Sequence, residues 1–157
     1  MNEITVIGVD LAKSIFRIHA QDAAGRCVFN KNVKRENLVT FLVQIPACTV
    51  VMEACGSSHY WARKIESLGH AVHLIHPKFV IPYRLGDKND ANDAAAICAA
   101  FLRPDMRFVK IRTQEQSDIQ GLHRIREGLV SQQTEICNRI RGLLAENGIV
   151  WNGIVAT

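Results

Sequence analysis

Apolar residues come in short unbroken blocks near the start of the chain and at helical spacing further on, so strands are expected first, with helices between and after them. Residues 4–9, Ile-Thr-Val-Ile-Gly-Val, are rich in β-branched side chains and scarcely alternate with polar ones, the pattern of a central strand covered on both faces. The run stops at a carboxylate, Asp10. Gly8 weakens such a strand unless something approaches it closely. Residues 15–20 alternate instead, with Ile15, Arg17 and His19 on one face and Phe16, Ile18 and Ala20 on the other, which predicts an antiparallel return strand. Turn chemistry at 22–25, Asp-Ala-Ala-Gly, leads into a third strand over residues 27–33.

The period then changes. Leu38, Phe41 and Leu42 share a helical face over residues 34–44, and Pro46 closes that helix. Residues 49–52, Thr-Val-Val-Met, are a second fully apolar run, and it too stops at a carboxylate, Glu53. Ser57 or Ser58 is suited to cap a helix reaching Leu68, with Trp61, Ile65 and Leu68 facing inward and Gly69 at its end. Residues 70–75 follow as a short strand. This β-β-β-α-β-α-β order predicts an α/β fold, an antiparallel meander joined to parallel strands in one mixed sheet with flanking helices. Right-handed crossovers place the strand before Glu53 beside the strand before Asp10, which brings both carboxylates to one edge.

Residues 76–89 read as a loop, broken by Pro77, Pro82 and Gly86 and carrying Lys78, Arg84 and Lys88. Asp90 opens an alanine-rich helix reaching about Leu102, and residues 108–111 are a further strand or an extended link. Residues 114–147 predict one helix of roughly 50 Å. Ile119, Leu122, Arg126, Leu129, Gln133, Ile136, Ile140 and Leu143 recur at alternating steps of three and four, a heptad seam with two polar positions. A single amphipathic helix packed on the domain's own sheet is the alternative.

Composition narrows the class without choosing a function. The 157 residues suffice for one domain with a projecting element, and 22% charged against 48% hydrophobic residues is a globular balance. A net charge of +4 permits an anionic partner but is too small to prove one. Five cysteines without a C-x-x-C pair speak against a disulfide framework or a structural zinc site and for reduced thiols in a cytoplasmic protein. No apolar run approaches the length of a membrane span.

The candidate chemistry lies in the acids. Asp90 and Asp93, three residues apart, share one face of a helix's first turn. Taken alone, such a pair caps the helix and meets its dipole. Taken with Asp10 and Glu53, it gives four carboxylates that one mixed sheet can gather. A cluster of that kind repels itself unless cations balance it, and oxygen-only ligands suit Mg²⁺ or Mn²⁺. Two such ions can activate water and stabilise a leaving oxygen in phosphodiester cleavage. Lys13, Lys78, Arg84 and Lys88 are candidates for nucleic-acid phosphate, with solvated surface as the alternative.

The segments Gly8-Val9-Asp10-Leu11-Ala12-Lys13, Met52-Glu53-Ala54-Cys55-Gly56 and Lys88-Asn89-Asp90-Ala91-Asn92-Asp93-Ala94, in this order and spacing, resemble the DEDD transposases of bacterial insertion sequences, relatives of the pilin-inversion (Piv) recombinase. The resemblance covers nearly the whole chain and implies an RNase H-like, RuvC-like domain over residues 1–112. It further implies a long helix or coiled coil over 113–148 and a tail at 149–157 leading to a C-terminal domain outside this sequence. Carried over by motif, Asp10, Glu53, Asp90 and Asp93 become catalytic metal ligands. Asn89 stands where the family often has Thr, and Asp87 is an extra acid nearby. The family implies metal-dependent DNA cleavage and transfer, a serine nucleophile in the C-terminal domain, a structured guide RNA and homo-oligomers. Ser57 and Ser58 do not match that serine's position. A free-standing RuvC-like Holliday-junction nuclease would use the same acids, whereas a non-catalytic nucleic-acid-binding dimerisation module would use them as caps and strand ends. A sugar-kinase or actin-like half also opens with such a strand, but no glycine-rich phosphate loop follows here, where Leu11-Ala12-Lys13-Ser14 stands.

Overall fold

The computed structural model describes residues 3–84 and 90–151, and of residues 90–92 the backbone alone. Two compact units divide the chain, Met1–Thr113 and Gln114–Thr157. The first is built on a six-stranded mixed sheet. Its strands in chain order are β1 (Ile4–Asp10), β2 (Ile15–Asp22), β3 (Cys27–Lys34), β4 (Thr49–Glu53), β5 (Ala71–Ile75) and β6 (Phe108–Val109). Across the sheet they run β3-β2-β1-β4-β5-β6. The meander β1-β2-β3 is antiparallel, β4 lies parallel to β1, and β5 parallel to β4. Residues 108–109 resolve their ambiguity as a strand, pairing antiparallel with Leu74 and Ile75.

Side-chain alternation sorts these strands onto two faces. Ile7 and Val9 of β1, Val50 and Met52 of β4, and Phe16 and Ile18 of β2 bury one face. Helices α1 (Leu38–Val43) and α2 (Ser58–Glu66) cover it with Leu38, Leu42, Trp61 and Ile65. On the opposite face Val6, Val51 and Ile75 meet α3 (Pro77–Val80) and α4 (Asp90–Phe101) through Val80, Ala96, Ile97, Cys98 and Ala100. Gly8 belongs to this second face. A Cβ added there would collide with the carbonyl oxygen of Ala94 and lie 2.7 Å from Cys98 Sγ. The close approach expected at Gly8 is therefore α4, and its run of alanines is what lets the helix backbone come down on the strand.

Local details differ from the sequence expectation where two signals compete. The helix expected from residue 34 begins as a 3-10 turn, Arg35–Asn37, before α1. Ser57 occupies the N-cap position of α2 without a side-chain cap; Ser58 Oγ instead accepts from Cys55 N at 3.0 Å and donates to Cys55 O at 2.9 Å. The loop expected over 76–89 is in part helical. Pro77 sits at the first position of α3, where its missing N–H costs nothing, and His76 caps that turn by accepting from Lys78 N at 3.2 Å. A 3-10 turn, Ile81–Tyr83, follows. Asp87 and Lys88 lie outside the described residues, as does the side chain of Asp90.

β3 is an edge strand with mostly exposed residues, and Arg17 of its neighbour spans two of its amides, Nε to Asn30 Oδ1 at 2.6 Å and Nη1 to Asn32 Oδ1 at 3.1 Å. In the second unit, α5 (Gln114–Glu146) is one helix of 33 residues, none of them buried. Ile119, Leu122, Leu129, Ile136, Ile140 and Leu143 of the expected seam are all exposed. Gly148, at φ +72°, ends the helix: its N–H reaches Ala145 O at 2.9 Å, and that of Ile149 reaches Leu144 O at 3.0 Å. Among the described residues no helix is long and apolar enough to cross a membrane.

Gly8→Ala is expected to lower unfolding free energy by about 1–3 kcal/mol, the usual cost of overpacking a filled core. Urea unfolding reads this as a lower midpoint; an unchanged midpoint would show that α4 lifts from β1 without cost.

Candidate functional site

Both apolar runs stop at the same edge of the sheet. Val9 pairs with Met52 across the parallel β1–β4 ladder, so Asp10 and Glu53 fall one position beyond, at neighbouring strand ends. Alternation puts both on the α4 face: Asp10 follows Val6 and Gly8 in step, and Glu53 follows Val51. On α4, Asp93 precedes Ala94, the residue whose carbonyl rests on Gly8, and it is 8% exposed. The contact that demands glycine in β1 thus also fixes the third carboxylate against the other two.

One cation bridges part of this group. Arg84 Nη2 donates to Glu53 Oε1 at 3.1 Å, and Arg84 Nε lies 3.1 Å from Asp93 Oδ1. The second contact is a charge contact only, because the buried Nε–H makes no hydrogen bond among the described residues. Burial pushes the Glu53 carboxyl above its ordinary value. The Arg84 charge and hydrogen bond pull it down, the charges of Asp10 and Asp93 push it up, and the net shift is upward. Glu53 therefore feels both other acids as well as the guanidinium, and burial decides the direction.

The residues singled out in the sequence divide accordingly. Asp10, Glu53 and Asp93 come together, and the backbone of Asp90 opens the same helix. Arg84 is engaged with the carboxylates; nothing in its sequence surroundings signalled this, since Glu53 is 31 residues away. Lys13 is exposed in the turn after Asp10. Lys78 is exposed beyond the end of β5, with its ammonium 4.8 Å from the Phe79 ring centre, beside a small cavity shared with Arg103 and Arg107.

Among the described residues, no three His, Cys, Asp or Glu side chains converge closely enough to hold one ion as they stand. The donor chemistry nevertheless fits a hard divalent cation. All donors are carboxylate oxygens, they lie at a strand-end rim, and the charges of Asp10 and Asp93 both act on Glu53. An ion held here would compete with the Arg84 guanidinium for Glu53 and Asp93.

Comparison with known proteins adds the family. Residues 7–148 match the family model of the IS110-type DEDD transposases, described as transposase. A probable family 20 transposase of Pseudomonas aeruginosa is 50% identical over 144 residues, covering 92% of this chain and 43% of that protein. The transposase for insertion sequence element IS1328 of Yersinia enterocolitica is 44% identical, covering 95% of this chain and 45% of the relative. That for element IS1111A of Coxiella burnetii is 42% identical, covering 95% and 41%. The chain thus spans less than half the length of these curated relatives. Among solved structures, Thermus thermophilus RuvC in complex with a Holliday junction substrate matches 68% of this chain and 99% of its own, at 12% identity and a TM-score of 0.46.

A raised Glu53 pKa has a fixed sign in the stability of the fold. It favours the folded state while Glu53 is protonated, fully so below the unfolded-state value, and that contribution is lost as pH rises through the folded value. Glu53→Gln, which cannot ionise, is expected to gain stability relative to wild type as pH rises from 4 to 7. Urea unfolding at the two pH values tests this, and a relative loss instead would show that the Arg84 pair outweighs burial.

Proposed function

Because the chain belongs to the IS110-type DEDD transposase family, we propose that it carries the carboxylate centre for divalent-metal-dependent DNA strand cleavage and transfer in insertion-sequence transposition. The observation that carries this reading is the arrival of Asp10 and Glu53 on one face at adjacent strand ends, opposite Asp93 of α4, with both neighbouring charges felt by Glu53. Asp10, Glu53, Asp90 and Asp93 are the proposed metal ligands. Mg²⁺ or Mn²⁺, when bound, supplies Lewis acidity for the attacking and leaving oxygens of a phosphodiester. The protein's own part is to hold oxygen donors at the rim; Glu53 and Asp93, paired with Arg84 here, would hold an ion in its place, and the Arg84 guanidinium would then be available to a phosphate. Lys13, Lys78 and Lys88 are proposed to contact the nucleic acid. A structured guide RNA as second partner, and work in the cytoplasm where the DNA lies, belong to the same proposal.

The exposed seam of α5 supports homo-oligomers. A helix with apolar positions at heptad spacing and no buried residue gains by covering that stripe with a second copy. Sedimentation of the chain is expected to show an oligomer that Leu122→Lys with Leu129→Lys converts to monomer. A wild-type monomer at micromolar concentration would remove the helix from the assembly.

Titration calorimetry with Mn²⁺ tests the centre itself. Saturable binding by wild type and its loss in Asp10→Ala, with folding verified by circular dichroism, are expected. Unchanged binding in the variant would mean that the acids are structural, and the binding-module reading would then stand.

A further inference from the structure

We propose that the cavity between the β1–β2 turn and α2 binds one unpaired nucleotide of a nucleic-acid strand. The proposal rests on the reading of this chain as one that acts on nucleic acid, and it supplies a subsite for that role. The cavity has a volume of about 980 Å³. Its cationic wall consists of Lys13 from the turn after Asp10, Lys34 from the end of β3 and Arg35 from the 3-10 turn that follows it. Its apolar wall is formed by Ile15, Val39, Tyr60 and Trp61. Against three cations stands one acid, Glu36, at 4.0 Å from Lys34, and both partners of that pair are exposed.

The site is built. Arg35 is tied across the turn, its N–H donating to Ser14 O at 2.9 Å and its Nη1 reaching Ala12 O at 3.4 Å. Its guanidinium carbon lies 5.5 Å from the Phe16 ring centre and 5.3 Å from that of Trp61. Trp61 meets Phe16 edge-on at 5.3 Å and Tyr60 edge-on at 5.2 Å. Tyr60, held by that contact, is still 53% exposed, and Ile15 is 51% exposed. A fixed, half-open aromatic ring beside a surplus of positive charge matches a ligand with a flat π-face and an attached anion. That is the chemistry of a nucleotide, and it is how single strands are held without regard to sequence.

Position makes the nucleotide part of a strand. The turn, the end of β3 and the start of α2 all lie at the sheet edge where Asp10 and Glu53 end. Lys13 is three residues from Asp10, so their Cα atoms are within about 11 Å. The cavity opens on the α2 side of the sheet, whereas the carboxylates face α4. A strand engaged at the carboxylates therefore passes over residues 11–14, and an adjoining nucleotide, turned out of its stack, enters beside Tyr60.

Fluorescence anisotropy in EDTA tests this without engaging the metal centre. The probes are labelled dT12, labelled U12 and a 12-base-pair DNA duplex, on the full chain. Tyr60→Ala is expected to weaken single-strand binding about ten-fold, as loss of one stacked base does, and Tyr60→Phe to restore it. Lys13→Ala with Lys34→Ala is expected to reduce the slope of log affinity against log salt. Duplex binding is expected to change little in the Tyr60 variants. The arm showing the larger Tyr60 effect identifies the strand as DNA or RNA. Equal affinity of folded Tyr60→Ala and wild type for both strands would overturn the proposal. So would equal losses on strand and duplex, or displacement of dT12 by polyglutamate as readily as by unlabelled dT12. None of these outcomes depends on Asp10, so a failure of this site is distinguishable from a failure of the metal centre.

Discussion

The structure depends on how closely α4 can approach β1. Sheet and helix normally stand apart by the thickness of their side chains, and here that thickness is removed from both: glycine in the strand, alanines along the helix. The carbonyl of Ala94 comes to rest where any larger residue at position 8 would have its Cβ. Asp93 is the residue before it, so the depth of this contact sets how near its carboxylate comes to those of Asp10 and Glu53. The strand-end pair is fixed by ladder register and the third acid by helix depth. Packing and chemistry here are one constraint.

That geometry has an electrostatic cost. Bringing Glu53 beneath a helix removes water from it, and bringing two acids towards it makes ionisation harder still, so its carboxyl is pushed above its ordinary value despite a guanidinium at 3.1 Å. Arg84 is about one-third exposed, so solvent screens its attraction. Among the described residues Arg84 is a cation that reaches both Glu53 and Asp93, so it ties the end of β4 to α4 by charge as well as by packing.

Much of this was legible along the chain, for reasons that can be stated residue by residue. Two-sided burial leaves a continuous apolar run, so β1 and β4 announced themselves, and the abrupt arrival of Asp10 and Glu53 marked the strand ends. The crossover rule then put β4 beside β1, as found. Gly8 was readable as a close approach but not as whose, because the partner lies 86 residues on at Ala94. Arg84 was readable as a basic residue and not as a bridge, since its partners meet only through the fold. The helical turn α3 was hidden because proline reads as a breaker wherever its position within the first turn is unknown. The end of α5 was readable in principle from Gly148, whose positive φ suits glycine. Asp90 cannot be compared in the same way, as only its backbone is described.

The borders of the sheet bear on what this chain avoids. On one side β3 presents Asn30, Lys31, Asn32 and Lys34, with Arg17 occupying two of the amides and Lys31 lying over the Phe29 and Phe41 rings. On the other side β6 has only two residues. Neither border offers a long flat apolar strand to an incoming chain, so the sheet resists growing by strand addition.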